Sequence, residues 1–263
     1  MERQCIKPIL GKGKRMPIRL VVIDIDGCLT PGEGRPLSLA VLRFLARCNR
    51  QAQQPGADVP AVTLCTGRPA PYVELMVQAI AGFWPALYEH GAGMFDPRDY
   101  TFHPHPAMTP VGQDGYFRLK TLLTDRIVRQ GFGYLQPGKE HSFTLYPGEG
   151  ITTERLAREL SCCKMPGFVM QVGRREINIL PCSIDKGVGV EWLATRTACP
   201  LEAMAGVGDT TGDLLFLQRV GFAAAPSNAL SQVKAQVDYV SPWPDGRGVV
   251  DILKQCIIRN RTS

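Results

Sequence analysis

A doubly wound parallel α/β sheet interrupted by an inserted α+β module is the fold class that this 263-residue sequence predicts. Short β-branched runs alternate with longer amphipathic stretches from Ile18 onward, the pattern of strands and crossover helices. That rhythm breaks after residue 94 and resumes at residue 176. A hydrophobic content of 44% supplies apolar surface for a full core, enough to bury roughly three quarters of what the unfolded chain exposes.

The first strand is expected over Arg19 to Ile23, followed by a helix from about Pro36 in which Leu39, Leu42, Phe44 and Leu45 recur near helical spacing until Pro55-Gly56. A second strand, Ala61 to Cys65, leads into a helix from Pro69 through Met76 to Ile80. Proline suits its first turn, and Gly82 closes it. After Glu89-His90-Gly91-Ala92-Gly93 come a Pro- and His-rich link, a long helical stretch near Tyr116 to Arg129, short strands such as Ser142 to Tyr146, and a helix from Thr152 to Leu160. The alternation resumes with a strand at Glu176 to Leu180, a helix from Gly187 to Thr195 and a strand from Ala203 to Val207. Short strands at Phe222 to Ala224 and Asp238 to Val240 precede a closing helix, Val249 to Ile258. The expected organisation is a catalytic core at residues 16–94 and 176–263, a cap at residues 95–175, and a basic, disordered leader at residues 1–15. Lys7, Lys12, Lys14 and Arg15 against Glu2 leave an organelle-targeting peptide as the alternative for that leader.

Composition excludes several classes. No apolar run approaches the roughly 20 residues that span a bilayer, so no membrane association is expected. The formal charge of +6 favours anionic ligands, but the basic residues are scattered, which argues against a nucleic-acid partner. Nine cysteines, an odd number without a C-x-x-C pair, read as reduced thiols in a cytoplasmic protein.

The chemistry sits where strands end. The first strand runs into Asp24-Ile25-Asp26-Gly27, and alternation sends both carboxylates the same way at the carboxyl end of the sheet, where parallel α/β folds place their sites. Carboxylates this close need a cation, or one must be protonated. An EF-hand loop does not fit, because Arg35 would occupy its closing position. The second strand ends in Thr66-Gly67-Arg68, offering a hydroxyl and backbone amides to a phosphate. Lys186 opens a helix, where a cation is disfavoured unless an anion lies nearby. Gly208-Asp209-Thr210-Thr211-Gly212-Asp213 follows a strand and sets two more carboxylates at i and i+4 on one helical face. Hard oxygen ligands of this kind suit Mg²⁺.

The order D-x-D-G, T-G-R, lysine, G-D-x-x-x-D, each after a strand, resembles the haloacid dehalogenase-like (HAD) phosphohydrolase superfamily. The insertion between the second and third motifs, with Glu89-His90-Gly91-Ala92 and Pro226-Ser227-Asn228-Ala229, resembles its Cof-type branch with a C2B cap. The resemblance implies a Rossmann-like core and a Mg²⁺-dependent phosphatase acting on a small phosphorylated metabolite, a sugar phosphate or phosphoglycolate. It makes Asp24 the nucleophile of an aspartyl-phosphate intermediate and Asp26 the acid and base. It assigns Thr66, Gly67 and Lys186 to the phosphate. Asp24, the Asp26 carbonyl and Asp209 become the metal ligands, with Asp213 completing or supporting the site. A phosphomutase of the phosphomannomutase type and a non-catalytic metabolite-binding protein on the same scaffold are the alternatives. The sequence departs from the family pattern at Cys28, His90 and Gly212, which stand where threonine, asparagine and asparagine are common.

Other features carry less. Gly11-Lys12-Gly13-Lys14 lacks phosphate-loop spacing, and Gly206-Val207-Gly208 with Gly212 misses the dinucleotide spacing by one residue. His103-Pro104-His105-Pro106 reads as a stiff hinge to the cap. Arg174 and Arg175, near the insert's end, are candidate cap contacts to a carboxylate or second phosphate, with a solvated surface pair as the alternative.

Overall fold

The computed structural model describes residues 16–108 and 112–262; the basic leader expected at residues 1–15 lies outside the described residues. The chain opens with β1 (Leu20–Ile23), α1 (Leu39–Ala52), β2 (Ala61–Leu64), α2 (Ala70–Ala79), β3 (Ala86–Tyr88), β4 (Gly93–Asp96) and β5 (Thr101–Pro104). It continues through α3 (Gly112–Leu123), β6 (Gly133–Leu135), β7 (Phe143–Pro147), α4 (Thr153–Ser161), β8 (Phe168–Val172) and β9 (Ile177–Pro181). It closes with α5 (Lys186–Thr197), β10 (Met204–Val207), α6 (Thr211–Leu217), β11 (Phe222–Ala225), α7 (Ser231–Lys234), β12 (Tyr239–Val240) and α8 (Asp245–Arg261).

The main sheet is parallel throughout, in the order β12-β11-β10-β1-β2, and a single bridge from Cys65 to Leu87 ties β3 to its edge. β1, β2, β10 and β11 are buried at every position, because helices cover both faces and leave no wet side to alternate with. On one face Val21, Ile23, Val62, Leu64 and Val207 pack against α1, α2 and α8. On the other, Leu20, Val22 and Met204 meet α5, α6 and α7. This is the doubly wound arrangement that the βα rhythm predicts. α1 begins at Leu39, later than Pro36, since Ser38 accepts a hydrogen bond from the Val41 N–H and caps the helix there.

The insert departs from expectation at both ends. Phe95, placed at its start, lies instead in β4, which with β3 and β5 forms an antiparallel sheet whose Phe95 and Met94 side chains join the core clusters. The segment Glu176 to Leu180, read as a core strand, is β9 of a separate antiparallel sheet, β6-β7-β9-β8. Ile177 and Ile179 enter a third cluster with Leu119, Leu123, Leu145 and Leu156, while Asn178 between them points to the opposite face. That alternation marks a half-covered antiparallel strand, whereas the parallel strands of this chain are apolar without interruption. α3 and its continuation, a π-helical turn at Thr124–Val128, pack with α4 on the same sheet. No helix among the described residues is long and apolar enough to cross a membrane.

Candidate active site

Three core elements end at one point on the carboxyl edge of the main sheet. Asp24 follows β1, and its N–H donates to Val207 O at 2.9 Å, which locks it beside the end of β10. Asp209 follows β10 by two residues. Gly27, at φ +89°, makes the turn that brings the first loop onto Asp209: a Cβ there would overlap the Asp209 carboxylate, so glycine is required by both conformation and space. Asn228 fixes this turn from another loop, its Nδ2 donating to Gly27 O at 2.7 Å while its Oδ1 accepts from Asp245 N.

Lys186, the first residue of α5, is buried. Its Nζ lies 2.8 Å from Asp24 Oδ1 and 2.6 Å from Asp213 Oδ1, so the anions anticipated for a lysine at a helix start are Asp24 and Asp213. Burial opposes the lysine charge, but Asp213 and Asp24 outweigh it and hold its pKa well above the usual value. Asp213 is fully buried, and its second oxygen accepts from Asp209 N (3.0 Å), Thr210 N (2.9 Å) and the Thr210 hydroxyl (2.9 Å). With Oδ1 taken by Lys186 and Oδ2 by three donors, Asp213 holds the lysine and the start of α6. Of the two roles expected for Asp213, completing the metal site or supporting it, these contacts favour the supporting one.

Burial raises the pKa of Asp24 well above the carboxylate range against the pull of Lys186, and the neighbouring Asp213 and Asp209 add to the rise. Burial, then Asp213, pushes Asp209 up to about 7. Three carboxylates face one ammonium here, an excess of negative charge in a dry place. Ligand atoms of Asp24, Asp209 and Cys28 lie within 4.8 Å of one another. The Cys28 thiol is not a hard ligand. Burial and the nearby carboxylates keep it protonated, and it donates to Asp209 Oδ1 at 3.6 Å, in place of the hydroxyl that threonine would bring. The Asp26 carbonyl accepts no hydrogen bond among the described residues and is free for a cation. Two desolvated carboxylates and a carbonyl make an oxygen set that fits Mg²⁺.

The Asp26 carboxylate takes no part in this oxygen set. Arg68 grips it in a fork at 2.6 and 2.7 Å, stacks over Tyr72 at 4.9 Å, and also lies 3.7 Å from Glu33. Glu33 in turn accepts from the Tyr146 hydroxyl of β7, so a chain of contacts links Asp26 to the antiparallel sheet above it. Thr66 is buried beside the same turn, its Oγ1 accepting from Arg68 N at 3.2 Å, which leaves the hydroxyl proton to donate. Gly67 has a packing reason for being glycine: a Cβ would strike the His90 ring at 2.5 Å.

The stretch after β3 is strained. Glu89, His90 and Gly91 all take positive φ (49°, 59° and 92°), costly for the two that are not glycine. Glu89 offsets this by collecting four donors on a fully buried carboxylate: the N–H groups of Glu140 (2.9 Å), His141 (3.0 Å) and Ser142 (2.8 Å), and the Ser142 hydroxyl (2.8 Å). It thereby pins the loop between β6 and β7 over the site, and Gly138 of that loop sits on Pro69. Lys139, in the same loop, is buried and donates to the Thr144 hydroxyl, which donates to Asn178 Oδ1 at 2.6 Å; Asn178 also bonds the His90 ring.

The structure thus brings together Asp24, Asp209, Lys186 and Asp213, and sets Asp26 and Thr66 beside Arg68. Arg174 and Arg175 lie exposed on the turn between β8 and β9 and enter no ion pair among the described residues, which favours the solvated alternative for both. Sequence reasoning missed Glu33, Glu89, Lys139, Thr144 and Asn178, and gave Arg68 no role. Arg68 carried a signal in T-G-R and Glu89 one in Glu89-His90-Gly91-Ala92, though neither was given a role; the others act across the insert, at separations that no local pattern records.

Residues 152–253 match the family described as haloacid dehalogenase-like hydrolase. A phosphoglycolate phosphatase of Pyrobaculum aerophilum is 34% identical over 240 residues, covering 89% of this chain and 93% of that one. Among solved structures, a Thermoplasma acidophilum protein superposes with a TM-score of 0.72 at 20% identity, over 92% of this chain and 99% of the other. A HAD/COF-like hydrolase of Plasmodium vivax superposes with a TM-score of 0.70 at 15% identity, over 92% and 95% of the two chains.

Proposed function

Because this chain belongs to the haloacid dehalogenase-like hydrolases, in their Cof-type branch, and is a phosphatase of that family, we propose that it is Mg²⁺-dependent and cleaves a small phosphorylated metabolite through a phosphoryl group carried on Asp24. The observation that carries this reading is Asp24 held at 2.8 Å from Lys186 and within 4.8 Å of the Asp209 ligand atom, at the end of a buried strand.

Asp24, the Asp26 carbonyl and Asp209 would hold the cation. When bound, it supplies the positive charge that lets an anionic carboxylate and an anionic phosphate approach. Lys186 does the rest of that work, its ammonium fixed by Asp213 so that it neutralises both the Asp24 carboxylate and a phosphoryl oxygen. The Thr66 hydroxyl donates its remaining proton to another phosphoryl oxygen. Asp24 attacks phosphorus, the bond to the leaving oxygen breaks, and that oxygen takes a proton from the Asp26 carboxyl group. Asp26, having given up its proton and still positioned by Arg68, takes a proton from the water that attacks the Asp24 phosphoryl ester, releasing phosphate and restoring Asp24. The β6–β7 loop and the Tyr146–Glu33 link sit over the cleft and support exclusion of water during the first half.

The relatives named phosphoglycolate phosphatase support a small acidic substrate. A panel of phosphate monoesters assayed with and without Mg²⁺ tests the reading. Phosphate release that needs the cation and disappears in Asp24→Asn is expected. Isomer formation dependent on a bisphosphate, with little free phosphate, would instead support the mutase alternative.

A further inference from the structure

We propose that Lys139 determines substrate choice: its ammonium takes the carboxylate of a phosphorylated hydroxy acid, so that the preferred substrate carries a second anion beside its phosphate and a neutral sugar phosphate is disfavoured. This rests on the phosphatase reading above and adds to it the group that reads the leaving end of the substrate.

Lys139 is 8% exposed, yet no ion pair among the described residues includes it. Its described partner is one neutral oxygen, the Thr144 hydroxyl. An ammonium has three donors, so two are left for another acceptor. A buried lysine with no carboxylate in direct contact is costly, and a bound anion would offset that cost. Burial pulls its pKa down to about 8; Glu89, Glu33 and Glu176 act in the opposite direction without touching it, and Arg68 adds to the fall. It therefore remains cationic at neutral pH.

Position says which ligand. The Lys139 loop lies on Pro69, directly after Thr66-Gly67-Arg68, and is fixed there by the Glu89 carboxylate. The His90 ring lies against Gly67, is bonded by Asn178 of the Lys139–Thr144–Asn178 relay, and feels the charges of both Lys139 and Lys186. Both lysines thus act on the His90 ring, Lys186 reached from the core and Lys139 from the antiparallel sheet, so a substrate whose phosphate meets Lys186 would extend its leaving group toward Lys139. The other charged side chains nearby are already engaged, Arg68 with Asp26 and Glu33, Glu33 with Tyr146, Glu89 with the four donors of the Lys139 loop, and Glu176 with the Arg175 N–H. Lys139 is the cation left to meet a carboxylate. Thr144 and Asn178 act as positioning residues that hold its stem.

The test compares 2-phosphoglycolate with 2-hydroxyethyl phosphate, the same two-carbon ester with an alcohol in place of the carboxylate, by steady-state kinetics in Mg²⁺. For the wild-type protein kcat/KM is expected to favour phosphoglycolate by at least about tenfold. In Lys139→Met, which keeps the length of the stem, that preference should fall by about tenfold or more, to near one, with KM for phosphoglycolate carrying most of the change, and Lys139→Arg should restore part of it. A wild-type ratio near one overturns the proposal whether or not the variants fold, as does a ratio unchanged in Lys139→Met; in both cases phosphate release still stands. Absence of phosphate release by the wild-type protein from either ester would instead remove the phosphatase reading and the proposal together.

Discussion

Replacing Glu89 by alanine removes the group that holds the β6–β7 loop against the core. Its carboxylate takes three backbone N–H groups and a hydroxyl, all within 3.0 Å, in a place with no solvent access. Alanine supplies no acceptor. Each buried N–H left without a partner costs about 1–3 kcal/mol, so a rigid loop would lose about 3–9 kcal/mol. The loop can lift and hydrate its amides, which places the expected loss near the lower end, about 3–5 kcal/mol. Hydrogen exchange at Glu140, His141 and Ser142 reads this locally: about 3 kcal/mol corresponds to roughly a 100-fold fall in protection. Because Lys139 rides on the same loop, KM for the substrate should rise in parallel. Protection within about fivefold of wild type, or a loss of protection spread evenly over the whole chain, would refute the idea that Glu89 clamps this loop.

Three further outcomes are expected. Asp24 and Asp209 hold their protons more tightly in the folded chain than ordinary carboxylates do, so between about pH 4 and pH 7 the folded state binds more protons than the unfolded one and the metal-free protein loses stability as pH rises. Mg²⁺ should therefore raise the melting temperature more at pH 8 than at pH 5, as thermal unfolding would show; equal shifts would count against a cation between these two residues. Gly27→Ala should cost about 2 kcal/mol or more and suppress phosphate release, since the residue is held at φ +89° against Asp209; denaturant unfolding beside an activity assay checks both. Asp213→Leu should destabilise by about 3–5 kcal/mol, because it strips Lys186 of one counter-ion and the start of α6 of its acceptor, and a loss under about 1 kcal/mol would show that Asp24 alone suffices for the lysine.

The parallel core was legible because its strands are short, apolar on both faces and punctuated by acidic or glycine-containing turns. Asp24, Asp209 and Lys186 could be found from sequence for the same reason: each directly follows a strand or opens a helix, and the topology of a parallel sheet gathers such positions at one edge. The insert was less legible. Glu176 to Leu180 carries strand character, but only the partner strands β7 and β8 reveal that it belongs to an antiparallel sheet; β8 itself was missed, with Val169 and Val172 exposed and Phe168 buried. The Glu89 clamp and the Lys139 relay depend on contacts across 51 and 34 residues of chain, which no periodicity encodes. Asp213 shows a subtler limit. Its spacing from Asp209 was visible, but that its oxygens are spent on Lys186 and on backbone donors is a matter of three-dimensional hydrogen bonding.

The proposed reaction depends on Asp24 carrying the phosphoryl group. Acid quench during turnover of a radiolabelled phosphate monoester, followed by peptide mapping, tests it most directly. Label should appear on the peptide containing Asp24, only when Mg²⁺ is present, and vanish in Asp24→Asn. Label on another residue, or unimpaired phosphate release by Asp24→Asn, would contradict the account.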